Sequence, residues 1–131
     1  MIVIDASAMT EFLLQTPLGV RVEARLLRNA GEFHAPHLLD VEVLQALRRL
    51  VRTGDVAADR ADDAIADLAD FDLRRHAHVD LLDRAWELRA NLTAYDAVYV
   101  ALAEAIAAPL ITCDGTLGKA PRHAARIEVV R

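Results

Sequence analysis

The stretch Asn91-Leu92-Thr93-Ala94-Tyr95-Asp96-Ala97-Val98-Tyr99-Val100-Ala101-Leu102-Ala103-Glu104-Ala105-Ile106-Ala107-Ala108-Pro109-Leu110-Ile111-Thr112-Cys113-Asp114-Gly115 decides the fold. Val98, Ala101, Leu102, Ala105 and Ile106 recur at i, i+3, i+4, i+7 and i+8, the period of one helical face, and Pro109 ends the pattern. Leu110-Ile111-Thr112-Cys113 then forms an apolar run of strand length, and Asp114-Gly115 is a turn dipeptide. A helix that feeds a fully buried strand, which in turn stops at an acid, is one step of a repeating β–α alternation.

The same alternation extends to both ends. Ile2-Val3-Ile4 is a β-branched run that also stops at an acid, Asp5, and Ser7 offers an N-cap to an apolar segment reaching Leu14. Pro17 suits a first helical turn; Leu18, Val22 and Leu26 follow at helical spacing, and Asn29-Ala30-Gly31 closes that helix. Phe33-His34-Ala35-Pro36 reads as a short strand, and Leu39, Val43, Ala46, Leu47 and Leu50 mark a third helix up to Thr53-Gly54. Ala61, Ala64, Ile65 and Leu68 give a fourth. Phe71 to His76 reads as a strand, Leu81, Leu82, Ala85 and Leu88 as another helix, and Ile127-Glu128-Val129-Val130 as a closing strand. No hairpin signal separates these elements. The expected fold class is therefore α/β: one domain over residues 1–131, with a central, mainly parallel sheet flanked by helices on both faces. In such sheets, sites lie beyond the carboxyl ends of the strands.

Bulk properties agree with one compact domain, since 131 residues with 54% hydrophobic content can bury a sizeable core. The first residues lack a basic leader with a long apolar run, and no apolar stretch approaches bilayer length, so a cytoplasmic protein with no membrane partner is expected. The single cysteine, Cys113, excludes an internal disulfide and a cysteine-rich zinc site, and is expected to be buried and structural. A net charge of −5 repels nucleic acid as a whole, so any nucleic-acid footprint has to be local. Residues 55–72 hold seven aspartates against Arg60, whereas Lys119, Arg122, Arg126 and Arg131 face only Glu128 near the other end. The stripe Asp59, Asp63, Asp67, Asp70 is expected to be a solvated helix face.

Asp5 and Asp114 each follow a buried strand run, which places both at the carboxyl edge of the sheet. Taken singly, each is also an ordinary turn or cap residue. Glu42 shares the polar side of its helix with Gln45, Arg49 and Arg52, as in a solvated helix face, and Asp96 stands three residues after Thr93, as in a capping box. Gathered at one sheet edge, four carboxylates repel one another unless a cation compensates, which points to Mg²⁺ or Mn²⁺, ions that prefer oxygen ligands. With a phosphodiester, such a cation lowers the pKa of water and stabilises charge on the phosphate.

Four blocks carry a resemblance: Val3-Ile4-Asp5-Ala6-Ser7-Ala8; Leu38-Leu39-Asp40-Val41-Glu42-Val43 with Leu47-Arg48-Arg49; Leu92 to Ala103; and Pro109 to Asp114. In order, spacing and total length they resemble a PIN domain, with VapC-type toxins as the nearest group. The resemblance implies a metal-dependent endoribonuclease that leaves a 5′-phosphate and a 3′-hydroxyl, a toxin held inactive by a cognate antitoxin, and a homodimer or a larger assembly with that antitoxin. It makes Asp5, Glu42, Asp96 and Asp114 the catalytic acids, with Asp5 and Asp96 as metal ligands. Ser7 and Thr112 match small hydroxyl positions that orient a carboxylate or water, although Ser7 also reads as an N-cap and Thr112 as a plain strand residue. A non-catalytic RNA-binding or scaffolding PIN domain is the rival reading. A phosphatase of the haloacid-dehalogenase type wants a second aspartate two residues after the first, where Ser7 stands.

Arg48, Arg49 and Arg52, on or beside the Glu42 face, and Lys119 and Arg122, with Arg126, after Asp114, are candidate phosphate contacts; each reads equally well as solubilising charge. Trp86, Tyr95 and Tyr99 lie in helices and are assigned to packing at least as readily as to base stacking. His34/His37 and His76/His78 come without the partners of a zinc site, and the histidines are given no catalytic role.

Overall fold

The structure, a computed structural model, describes residues 1–28 and 31–131. Five strands, β1 (Ile2–Ile4), β2 (Phe33–Pro36), β3 (Leu73–His76), β4 (Leu110–Thr112) and β5 (Ile127–Val129), form one sheet in the order β3-β2-β1-β4-β5. Every neighbouring pair is parallel. Val3 pairs with both His34 and Leu110, so β1 lies at the centre. Its three residues are at most 1% exposed, and because side chains alternate across a strand, both faces of the sheet are covered.

The helices are α1 (Ala6–Leu14), α2 (Pro17–Leu27), α3 (Leu38–Arg52), α4 (Ala58–Asp70), α5 (Leu82–Glu87, preceded by a 3₁₀ turn at Val79–Leu81) and α6 (Ala94–Ala105). Helix α1 packs on α2, α3 and α4, while α6 packs on α5 and on β1, β2 and β4. From β1 the chain moves outward through β2 and β3, then returns to the far side of β1 as β4. That reversal makes the β1/β4 seam the switch point of the sheet, where a crevice opens at the carboxyl ends of the strands. Among the described residues no helix is long and apolar enough to cross a membrane.

Several local expectations change. Asp5, not Ser7, caps α1: its Oδ1 accepts the Ala8 N–H at 2.9 Å, and Ser7 sits inside the helix. A strand that ends in an acid can cap the following helix with no linker. Ala97 to Ala103 of α6 are all buried, whereas Ala105 is exposed and Ile106 half-buried. The i, i+3, i+4 stripe was one side of a helix buried all round in its middle, where alanines let the sheet and neighbouring helices approach closely. Ile65 and Leu82, placed on apolar faces by spacing, are 39% and 53% exposed. Helix α2 ends at Leu27; Asn29 and Ala30, expected to close it, lie outside the described residues. The aspartate stripe of α4 is exposed throughout, as expected.

Both edges of the sheet are tied to helices by forked ion pairs. Arg25 of α2 grips Glu128 of β5 at 2.6 and 3.0 Å, and Arg75 of β3 grips Asp40 of α3 at 2.7 and 2.9 Å. Fork-on-fork geometry fixes direction as well as distance.

Two backbone positions are decisive at helix ends. The α1–α2 corner brings the Gly19 Cα so close to α1 that a Cβ would lie 1.9 Å from the Glu11 carbonyl oxygen. At the end of α6, the Ala108 N–H bonds to the Ala103 carbonyl and the Ala107 N–H to that of Glu104, a Schellman motif whose left-handed position, φ 51°, is filled by Ala107 instead of the usual glycine. We expect Gly19→Ala to cost about 1–3 kcal/mol by forcing the helices apart. Ala107→Gly is expected to gain roughly 0.5–1 kcal/mol by relieving the left-handed strain. Opposite shifts of the thermal midpoint check both; equal effects would contradict this account of the corners.

Candidate active site

Asp5 emerges from β1 at the switch point and is 6% exposed. Its carboxylate is held by three donors. Oδ1 accepts the Ala8 amide and the Ser7 hydroxyl, the latter at 2.7 Å, while Oδ2 accepts a very short bond from the Thr112 hydroxyl of β4. Of about four lone-pair positions on a carboxylate, three are taken, leaving one on Oδ2. Ser7 in turn accepts the Cys113 N–H at 2.9 Å, and Thr112 accepts that of Asp114, also at 2.9 Å. Thus Ser7 and Thr112 both orient Asp5 and stitch β1 to β4. Burial raises the Asp5 pKa, the three hydrogen bonds oppose that rise, and the charge of Asp96 adds to it.

Glu42, from the second turn of α3, is half-buried, and its Oε1 accepts the Tyr99 hydroxyl at 2.7 Å. Burial raises its pKa, Tyr99 lowers it, and the charges of Asp96 and Asp5 raise it further. Asp96 sits in the first turn of α6, where Thr93 caps its amide at 3.1 Å and the Thr93 hydroxyl also donates to its carboxylate. Its pKa is raised by burial, then by Asp114. Asp114 follows β4; its Oδ1 accepts the amide and hydroxyl of Thr116 at 2.9 and 2.7 Å, leaving Oδ2 open. The structure therefore brings Asp5, Glu42 and Asp96 within each other's field, with Asp114 joined through Asp96. Among the described residues no lysine or arginine pairs with any of the four.

This donor set suits a hard cation. It is all carboxylate oxygen, and among the described residues no basic side chain forms an ion pair that would offset the mutual repulsion. No three acidic, histidine or cysteine side chains among the described residues converge tightly enough to cage an ion as they stand. Such an open site fits an ion that keeps several waters and touches one or two carboxylates, as Mg²⁺ does, better than an ion requiring a closed protein cage.

Beside the acids lies a cavity of about 570 Å³, bordered by Ser7, Glu42, Cys113 and Asp114 on one side and by Leu18, Gln45, Arg49 and Leu50 on another. Arg49 is the one candidate basic residue lining it. Arg48 and Arg52 instead line a separate groove between α3 and α4 with Leu44, Val51 and Ile65. At about 100° per residue Arg49 falls nearly in line with Glu42, whereas Arg48 is turned far toward α4. Lys119 and Arg122 are exposed and do not line the cavity, and Arg126 pairs with Glu128 at 3.0 Å. Cys113 is half-buried at the cavity wall, and burial together with the charges of Asp5 and Glu11 pushes its thiol up to about 12. His34 and His76 bond each other at 2.8 Å, and His78 accepts the Leu38 amide; none joins the acids.

Sequence reasoning missed Tyr99. Packing accounts for its ring, which is 2% exposed, but not for its hydroxyl on Glu42. A tyrosine three residues after Asp96, in the stretch Ala97 to Ala103 that is otherwise alanine, valine and leucine, was the available signal. Trp86 and Tyr95, also assigned to packing, are 68% and 62% exposed; Trp86 carries the Arg89 guanidinium 4.6 Å from its ring centroid.

Comparison with known proteins gives a consistent answer. Residues 2–122 match the PIN domain family. Ribonuclease VapC12 of Mycobacterium tuberculosis is 41% identical over 131 residues, covering 99% of each chain. Ribonuclease VapC9 of the same organism is 41% identical over 130 residues, covering 99% of this chain and 98% of its own. The crystal structure of VapBC2 from Rickettsia felis, bound to a DNA fragment from their promoter, superposes with a TM-score of 0.69 at 14% identity, covering 98% of each chain, a likeness of fold. The chain belongs to the PIN domain family and, within it, to the VapC ribonucleases.

Proposed function

We propose that the protein is a metal-dependent endoribonuclease, the toxin of a toxin–antitoxin pair, with Asp5, Glu42, Asp96 and Asp114 as its catalytic acids. The observation that carries this reading is Asp5: a buried carboxylate, held by three donors, with a single lone pair left open toward other acids and no basic partner. Membership of the VapC ribonucleases supports RNA as the substrate and a cognate antitoxin as the partner, with a homodimer and larger assemblies with the antitoxin as the working forms, in the cytoplasm. Hydrolysis of the phosphodiester is expected to leave a 5′-phosphate and a 3′-hydroxyl.

Asp5, through Oδ2, and Asp96 would hold Mg²⁺ or Mn²⁺, with Glu42 and Asp114 completing the acidic surround. A divalent cation bound there supplies Lewis acidity toward the phosphate and lowers the pKa of water. The chain's own part is placement. Ser7 and Thr112 fix the Asp5 rotamer, so the open lone pair has one direction. Arg49 meets the negative phosphate entering the cavity, and the carboxylates that remain ionised are positioned to take up a proton from water.

Asp5→Asn and Asp96→Asn should each lower cleavage of structured RNA in Mn²⁺ by at least ~10²-fold, more than is typical for loss of a residue supporting a ligand. Equal cutting by either variant would sink the assignment. Calorimetry without acid-dependent Mn²⁺ binding would favour a non-catalytic RNA-binding or scaffolding role.

The acids also govern stability against pH. The raised pKa values of Asp5, Glu42 and Asp96 mean that the native state holds protons the unfolded chain has already released. Metal-free protein should therefore lose stability as pH rises from the ordinary carboxylate range through the raised values, and regain it on acidification within that window. Mn²⁺ at ~100 times its Kd should restore about 2.7 kcal/mol at neutral pH. Melting curves with and without Mn²⁺ between pH 4 and 8, a range set around carboxylate and neutral values, test this; a metal-free midpoint that climbs with pH contradicts it.

Arg49→Ala should weaken RNA binding and reduce the slope of log affinity against log salt by about one, while Arg48→Ala and Arg52→Ala leave that slope unchanged. Equal slopes for all three would remove Arg49 from the phosphate path.

A further inference from the structure

Tyr99 is 2% exposed and lies in the buried middle of α6. Its hydroxyl does two things at once. It donates to Glu42 Oε1 at 2.7 Å, and it accepts from the backbone N–H of Ala6, the first residue of α1. The first amides of a helix have no partner within the helix, so this oxygen satisfies one of them. A single buried hydroxyl thereby connects the helix start that follows Asp5 with the carboxylate presented by α3, and it belongs to the helix that carries Asp96 three residues earlier. With the hydroxyl on Oε1, Oε2 of Glu42 keeps both of its lone pairs for another ligand and Oε1 keeps one.

We propose that Tyr99 is a positioning residue for the acidic site: it locks Glu42 against α1 and directs Oε2 to the place where the cation binds. This rests on the reading of Glu42 as part of the metal surround. Tyr99 touches neither substrate nor cation and acts through Glu42. Any buried tyrosine hydroxyl needs a polar partner; what marks Tyr99 as a positioning residue is that its partner is a carboxylate of the acidic site, carried on another helix.

The test is titration of Mn²⁺ into metal-free protein, read by calorimetry, for the parent, Tyr99→Phe, Glu42→Gln and the double variant. Phenylalanine keeps the ring and removes only the hydroxyl. Tyr99→Phe should weaken Mn²⁺ binding by about 10–100-fold and lower kcat, while KM for RNA at saturating Mn²⁺ stays near the parental value. The double variant should bind no more weakly than Glu42→Gln alone, as expected when one residue acts through the other. Parental Mn²⁺ affinity in Tyr99→Phe overturns the proposal, as does a double variant that loses the sum of both single effects. Parental affinity in Glu42→Gln overturns the reading of Glu42 itself, and the proposal with it.

A second measurement leaves Tyr99 intact. The chain has two tyrosines, so in a Tyr95→Phe background the tyrosine bands of the ultraviolet resonance Raman spectrum come from Tyr99 alone. Mn²⁺ should shift its hydrogen-bond-sensitive bands as charge is drawn from Glu42; unchanged bands at saturating Mn²⁺ would overturn the proposal even if Tyr99→Phe fails to fold.

Discussion

The rest of the site depends on keeping the Asp5 carboxylate out of water. An ionised carboxylate so deeply buried is tolerable only when its oxygens are occupied, and here the donors come from three places: an amide of the helix it caps, a hydroxyl in the first turn of that helix, and a hydroxyl from the adjacent strand. Each donor carries a geometric demand. The helix has to begin immediately after the strand, β4 has to lie beside β1 in the observed register, and the chain beyond β4 has to turn so that the Cys113 and Asp114 amides reach Ser7 and Thr112. One buried charge thus fixes the junction of two strands and a helix.

The remaining acids follow from that junction. Asp114 leaves the same seam, one residue beyond the strand run. Asp96 and Glu42 arrive on helices, and what brings α6 close enough is its composition: alanines along its buried middle let it settle on β1, β2 and β4. The result is a cluster whose members destabilise one another in the ionised state. Natural folds keep such clusters where function repays the cost, and a divalent cation bound among them would convert repulsion into attraction.

Much of this was legible in the chain. Ile2-Val3-Ile4 and Leu110-Ile111-Thr112-Cys113 are runs that read as doubly covered strands, and both stop at acids, which put Asp5 and Asp114 at one sheet edge. The helices of Glu42 and Asp96 were marked by periodicity and by Thr93. What periodicity does not encode is orientation between elements. It puts Arg49 nearly in line with Glu42, but it does not tell that Arg48 and Arg52 line a separate groove, because that depends on where α4 packs. It favoured Ser7 as the cap because serine is a common cap residue, although the aspartate already at the strand end was better placed. It could not find the role of the Tyr99 hydroxyl, because a partner 57 positions away is a tertiary fact.

The forked ion pairs at the two edges of the sheet have a consequence for how molecules of this protein meet. Exposed strand edges are templates on which another chain can add its own strand, and folds that leave them open risk uncontrolled self-association. Here β5 is three residues long and β3 four, and arginine–carboxylate pairs bind each to a helix of its own molecule. A second copy approaching edge-on would meet side chains already committed and too little backbone to pair with. Continuing the sheet from one molecule to the next is thereby disfavoured, which leaves helical surfaces as the ground on which these molecules can assemble.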